Sequence, residues 1–135
     1  MKKEERKLLI KDLTARISYG VICKLDGIKD TNLLTKVEFN NTGDAEFSFL
    51  WKISIKGHRN EYVCSVEDFK PYLRPMSSMT EEERKEYCQL ADSRAFNIFV
   101  NPRYELIDWL NAHYFDYRGL IEKGLAIKAP KGMYT

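Results

Sequence analysis

The segment from Glu46 to Lys56 constrains this chain more than any other. Phe47, Phe49, Trp51, Ile53 and Ile55 occupy alternate positions, separated by Ser48, Leu50, Lys52 and Ser54. A strand sends successive side chains to opposite faces, so this spacing gathers five large apolar side chains on one side. It predicts a long, half-buried antiparallel strand with Phe49 and Trp51 in the core and Lys52 and Ser54 in water. The neighbouring segments share the period of two. Val21, Cys23 and Leu25 alternate with Ile22 and Lys24 before an Asp26-Gly27 turn signal. Leu33 to Phe39 is rich in strand formers, and Asn40-Asn41-Thr42-Gly43-Asp44 reads as a hairpin loop. Gly57 to Asn60 is a further turn, and Tyr62, Cys64 and Val66 make a fourth strand. Pro71 disfavours helix at Lys70, so a tight turn gives way to an extended Tyr72-Leu73-Arg74. The fold expected is α+β: an SH3-like antiparallel meander or small barrel of four to five strands over 19–75, by analogy of strand order.

One helix precedes this meander and two or three follow it. Leu9, Ile10, Leu13 and Ile17 recur at intervals of three and four, which predicts a helix over 3–17 with these residues on its inner face. Thr80 and Glu83 fit a capping box for a helix over 81–91, with Tyr87, Leu90 and Ala91 inward. Phe96, Ile98 and Val100 alternate as in a short strand. Asn101 and Pro102 open a third helix whose apolar face is Leu106, Ile107, Trp109 and Leu110. Asp116 is placed to cap a short fourth helix ending at Gly124, with Leu125 packing back. With 135 residues the chain reads as one domain, comprising helix 1–18, meander 19–75, helical part 76–128 and a tail 129–135 that frays.

Composition narrows the chemistry. No apolar run approaches the roughly 20 residues of a membrane helix, and the charged opening lacks signal-peptide character. Cys23, Cys64 and Cys88 are odd in number and widely spaced, which predicts free thiols in a reducing cytoplasm. Neither they nor His58 and His113 have the spacing of metal ligands, so no metal is expected. No GxSxG, phosphate loop or dinucleotide motif is present, and the chain offers no catalytic residue and no cofactor site. Cys64 follows His58 by six positions across a turn, without an orienting acid, and His113 with Asp116 reads as a capping or hydrogen-bonding pair.

Two binding surfaces stand out. The first would hold single-stranded nucleic acid through Lys52, Lys56, Arg59, Lys70 and Arg74. Residues 1–76 carry 14 basic and 11 acidic side chains, a surplus of three, and the whole chain is only +2, so such binding should be weak. The second is the corner from His113 to Gly119, where Tyr114, Phe115, Tyr117 and Arg118 have the composition of a protein-interface hot spot. Successive residues at a corner point in different directions, so one ring should remain exposed for self-association or a protein partner. The function expected is therefore a non-enzymatic interaction or accessory protein, with a small-barrel nucleic-acid binder as the alternative.

The segments Leu13 to Val21, Pro71 to Glu83 and Ile107 to Ala126 carry a resemblance. They are similar to segments of small uncharacterised proteins of Bacteroides-type gut bacteria and of their phages and prophages. The stretch from Asp26 to Val66 is not part of it. The resemblance implies a cytoplasmic, mobile-element setting and no activity, cofactor or site residue.

Overall fold

A computed structural model describes residues 1–29, 31–39, 45–50, 61–92 and 102–134; for 45–50, 61, 62, 102 and 103 it describes the backbone alone. The expected burial of Phe49 and Trp51, the hairpin loop 40–44, the turn at 57–60 and the strand at 96–100 lie outside these residues.

Helix α1 spans Lys3–Arg16, with Glu4 and Glu5 in its first turn and the Glu5 carboxylate accepting the Lys2 amide at 3.1 Å. Its inner face is Leu9, Asp12, Leu13 and Arg16, all fully buried. Ile10 and Ile17, expected inside, are only partly covered. Asp12 and Arg16 take inner positions of the helix instead, and their burial is made tolerable by their pairing with each other and by the Phe115 carbonyl.

The strands are β1 Ile22–Leu25, β2 Thr31–Phe39, β3 Ala45–Leu50, β4 Glu61–Ser65, β5 Phe69–Leu73 and β6 Ile127–Lys128. They form one sheet in the order β4-β3-β2-β1-β5-β6. Asp26-Gly27 makes the first turn: Gly27 has φ +78°, and the Ile28 amide donates to the Leu25 carbonyl at 3.2 Å. On β3, Phe49 is in register with Leu34 and Tyr62, and Phe47 with Val37 and Cys64. Leu34, the partner of Phe49 on β2, is buried. A single 3₁₀ turn, Val66–Asp68, leads from β4 into β5, which returns to pair with β1.

The sheet does not close into the expected barrel. Among the described residues β4 bonds only to β3, and the free edge of β5 is taken by β6, which runs parallel to it. The architecture is therefore α+β, with a helix followed by an open mixed sheet and further helices.

Helix α2, Glu81–Ala91, is capped as its sequence requires: Thr80 Oγ1 accepts the Glu83 amide at 3.1 Å, and Glu83 accepts the Thr80 amide at 3.0 Å. Tyr87 and Leu90 are half-buried, but Ala91 is exposed. Helix α3, Pro102–Ala112, buries Leu110 and Asn111 while Ile107 faces solvent. The fourth helix does not form; 117–124 is a series of turns. Its ends behave as expected. Asp116 accepts the amides of Leu120 and Ile121 at 2.8 and 2.9 Å, Gly124 has φ +73°, and Leu125 is buried.

As far as Tyr134 the tail is docked on the sheet rather than frayed. Ala129 donates to the Leu73 carbonyl at 2.8 Å, and the hydroxyl of Tyr134 donates to the Tyr72 carbonyl at 2.8 Å while accepting the Ile22 amide at 2.9 Å. One phenol thus bridges β1 and β5, an arrangement with no local sequence signal. Leu9 and Leu13 of α1, Leu34, Phe69 and Leu73 of the sheet and Leu120 and Leu125 of the C-terminal turns belong to a single apolar cluster.

All three cysteines are free. Burial pushes the Cys23 thiol well up, and burial with Asp68 and Asp26 nearby holds Cys64 at about 11. No described helix is long and apolar enough to cross a membrane.

Candidate functional site

The corner at 113–118 begins where α3 stops. Tyr114 has φ +62°, the single non-glycine residue with positive φ among the described residues, and the chain turns back there toward β5. The conformation costs on the order of 1 kcal/mol. Partners on three elements hold it: the Tyr114 hydroxyl donates to the Tyr19 carbonyl, its ring stacks on Tyr134 at 3.7 Å, and its carbonyl accepts the Arg74 amide at 2.7 Å. The Asp116 amide returns a hydrogen bond to the Arg74 carbonyl at 2.8 Å, so Phe115 forms an isolated parallel bridge with Arg74 at the end of β5.

Beneath this bridge lie two charged clusters. In the first, Arg16 makes a two-pronged contact with Asp12 at 2.8 and 3.2 Å and donates to the Phe115 carbonyl at 2.6 Å. Arg118 reaches the same carboxylate at 3.2 Å, and both guanidinium groups lie over the Tyr117 ring, Arg16 at 5.1 Å and Arg118 at 4.9 Å from its centre. The Tyr117 hydroxyl donates to the buried Asn111 at 2.8 Å. Arg16 and Asp12 are wholly buried, and Arg16 Nη1 finds no acceptor among the described residues.

In the second cluster, Arg74 forks onto Glu83 at 2.8 and 2.7 Å and lies 4.2 Å over the Phe115 ring. That two-pronged contact, helped by the Thr80 cap, holds the Glu83 carboxyl at about 2. A carboxylate with a lowered folded-state value stabilises the fold above its unfolded value and loses that contribution on acidification. The Arg74–Glu83 link should therefore be complete above the usual 4.5 and fail as pH falls toward 2. Because the pair borders an open cleft, its contribution is about 1–2 kcal/mol. Glu83→Gln should remove rather more than half of that increment from the difference in unfolding free energy between pH 6 and pH 3, measured by urea titration, because the folded carboxylate is still mostly ionised at pH 3. An unchanged difference would show the pair contributes nothing.

The second cluster borders an open cleft of about 650 Å³ between the start of α2, the corner and the docked tail. Arg74, Glu83 and Thr80 form one wall, His113 and Tyr114 the base, and Lys128 to Tyr134 the opposite wall. The His113 ring stacks on Trp109 at 4.2 Å, and its Nδ1 donates to the Trp109 carbonyl at 2.8 Å. A carbonyl only accepts, so this bond requires a proton on Nδ1. Trp109 is held in turn by a 2.9 Å hydrogen bond from its indole nitrogen to Glu86.

The sequence-derived site residues are divided by this arrangement. Tyr114 is half-buried and lines the cleft. Tyr117 and Arg118 are half-buried on the Asp12 side of the corner. Phe115 is wholly buried and cannot face a partner; its ring is the floor under Arg74 and His113, because the bridge to β5 turns it inward. Of the nucleic-acid set, Lys52, Lys56 and Arg59 lie outside the described residues, and Arg74 is engaged by Glu83. His113 and Asp116 make separate bonds to Trp109 and to the 120–121 amides rather than to each other. Sequence reasoning missed the cleft's tail wall and the Asp12–Arg16 pair. The spacing of four in α1 was a signal for an ion pair, but an exposed pair has the same spacing.

Asp116 is the local keystone of this corner. Asp116→Ala leaves two backbone amides without acceptors, one of them buried, and should cost about 1–2 kcal/mol in chemical denaturation. A loss under a few tenths would mean that the 117–124 turns do not need their cap.

Among the described residues no group of three His, Cys, Asp or Glu side chains is placed to hold a metal ion. No protein-family model matches the chain, and neither the curated proteins nor the solved structures compared with it include a match.

Proposed function

We propose that the protein is a non-enzymatic interaction module, an accessory protein of a phage or mobile element that works in the cytoplasm, and that its partner sits in the cleft beside the corner. The observation that carries this reading is the cleft itself, about 650 Å³ with walls pinned by the Arg74–Glu83 fork, the bridge from Arg74 to Phe115 and the Tyr114–Tyr134 stack. A site pre-organised in this way loses little conformational freedom on binding. Its half-exposed tyrosines beside Arg74 are the residue types that interfaces favour.

The state of the reactive groups favours binding over catalysis. The two partly or fully covered thiols, Cys23 and Cys64, are shifted up, away from the thiolate. The Glu83 carboxylate is paired, and the Tyr114 and Tyr134 hydroxyls are committed to backbone carbonyls. The strand order β5-β1-β2-β3-β4, with a 3₁₀ turn before β5, supports an opened SH3-like meander as the scaffold, by analogy of fold alone.

A photo-crosslinking side chain at Ser78, an exposed residue of the cleft wall, tests the reading in the host cell, with a second at exposed Val63 on β4 as control. A protein adduct formed from position 78 and not from 63 is the expected result. A nucleic-acid adduct, or none from position 78, overturns it.

A further inference from the structure

The chemistry of the partner can be read from the cleft's charges, and this step rests on the cleft being the binding site. Arg74, Lys128 and Lys131 line it against one carboxylate, Glu83. Both oxygens of Glu83 are occupied: Oε1 accepts from Arg74 and from the Thr80 amide, and Oε2 from Arg74. That carboxylate is thus committed to Arg74 and to the helix cap. Lys128 and Lys131, both exposed and three positions apart in the chain, meet no carboxylate among the described residues. The cleft lining therefore carries two positive charges without a carboxylate partner among the described residues, beside apolar and aromatic surface from Ala112, Tyr114, Pro130 and Met133. Clefts with walls of one sign concentrate ligands of the other.

We infer that the cleft takes an acidic peptide segment of a protein partner, with an apolar or aromatic side chain seated on that surface and carboxylates paired with Lys128 and Lys131. The volume suits an aromatic anchor: about 650 Å³ lies within the range of sites that take a small molecule, and is ample for one indole and the peptide around it. The lysine pairs are exposed to solvent, so they supply selectivity and rate of encounter, and their effect should fade with salt.

The full-length protein, labelled for NMR, can be titrated with acetyl-tryptophanyl-tetraglutamate amide, with its tetraglutamine counterpart and with an oligothymidylate of similar length. The glutamate peptide should shift the amides of His113, Tyr114 and 128–134 and bind at least about tenfold more tightly than the glutamine peptide at low salt. Lys128→Glu/Lys131→Glu should abolish that preference while leaving the urea unfolding midpoint unchanged, since both side chains are exposed. Equal binding of the two peptides at the same amides overturns the acidic partner but leaves the cleft as a protein-binding site. Tighter binding of the oligothymidylate at those amides overturns both. Shifts from the glutamate peptide that map elsewhere, or no shifts at millimolar concentration, overturn the inference.

Discussion

Asp12→Ala is expected to lower the unfolding free energy by about 3–5 kcal/mol, the cost of stranding a buried charge. Asp12 and Arg16 are fully enclosed, and that carboxylate is the counter-charge for Arg16 and also reaches Arg118. Removing it leaves the Arg16 guanidinium with the Phe115 carbonyl as its remaining acceptor among the described residues and the Tyr117 ring as a face to lie on. Arg118 is one-fifth exposed and can turn to water; Arg16 cannot. The companion variant Asp12→Leu/Arg16→Met removes both charges and should recover much of the loss, because a pair of apolar side chains fills the same space without desolvation. Urea denaturation of the two variants decides the matter. A single variant that loses less than about 1 kcal/mol would show that water reaches Arg16 and that the pair is not enclosed.

Phe115→Ala should cost a similar 3–5 kcal/mol, as truncation of large buried rings does. The ring is wholly buried, stacks on Trp109 at 5.7 Å and carries the Arg74 guanidinium on its face at 4.2 Å. Its loss opens a void under both the Arg74–Glu83 wall and His113, so binding in the cleft should weaken together with stability. Ile107→Ala on the neighbouring helix is the control: Ile107 is 38% exposed, and its truncation should change stability by no more than about 0.5 kcal/mol. Equal effects at the two positions would mean that Phe115 is not a core residue.

Tyr114 and Phe115 show how far the corner was legible in advance. Their composition marked the segment as one where rings and cations meet, and the structure does bring Tyr114, Phe115, Tyr117 and Arg118 around Arg16 and Arg74. Which ring turns inward was not legible. Adjacent residues differ only in the direction the backbone gives them, and that direction follows from the bridge to Arg74, 41 positions earlier in the numbering. The same holds for α1, where apolar spacing selected Ile10 and Ile17 for the inner face and the molecule buries Asp12 and Arg16 instead.

What the sequence determined by itself are the features whose two halves lie within a few residues. The Thr80–Glu83 capping box, the Asp26-Gly27 turn, the Asp116 cap and the left-handed Gly124 all close over three to five positions, and each formed as its residues require. Strand periodicity belongs to the same class, since the backbone alternates side chains whatever the strand pairs with. Tertiary structure alone decided the sheet's open edge, the burial of an arginine and the docking of the tail. Arg16 donates to a carbonyl 99 positions away, and the Tyr134 hydroxyl bonds groups 112 and 62 positions away. Such contacts depend on which distant surfaces meet once the core has collapsed. A charged pair at a spacing of four, or a tyrosine near a chain end, reads the same in sequence whether it meets water or a carbonyl, and only the packed fold supplies the difference.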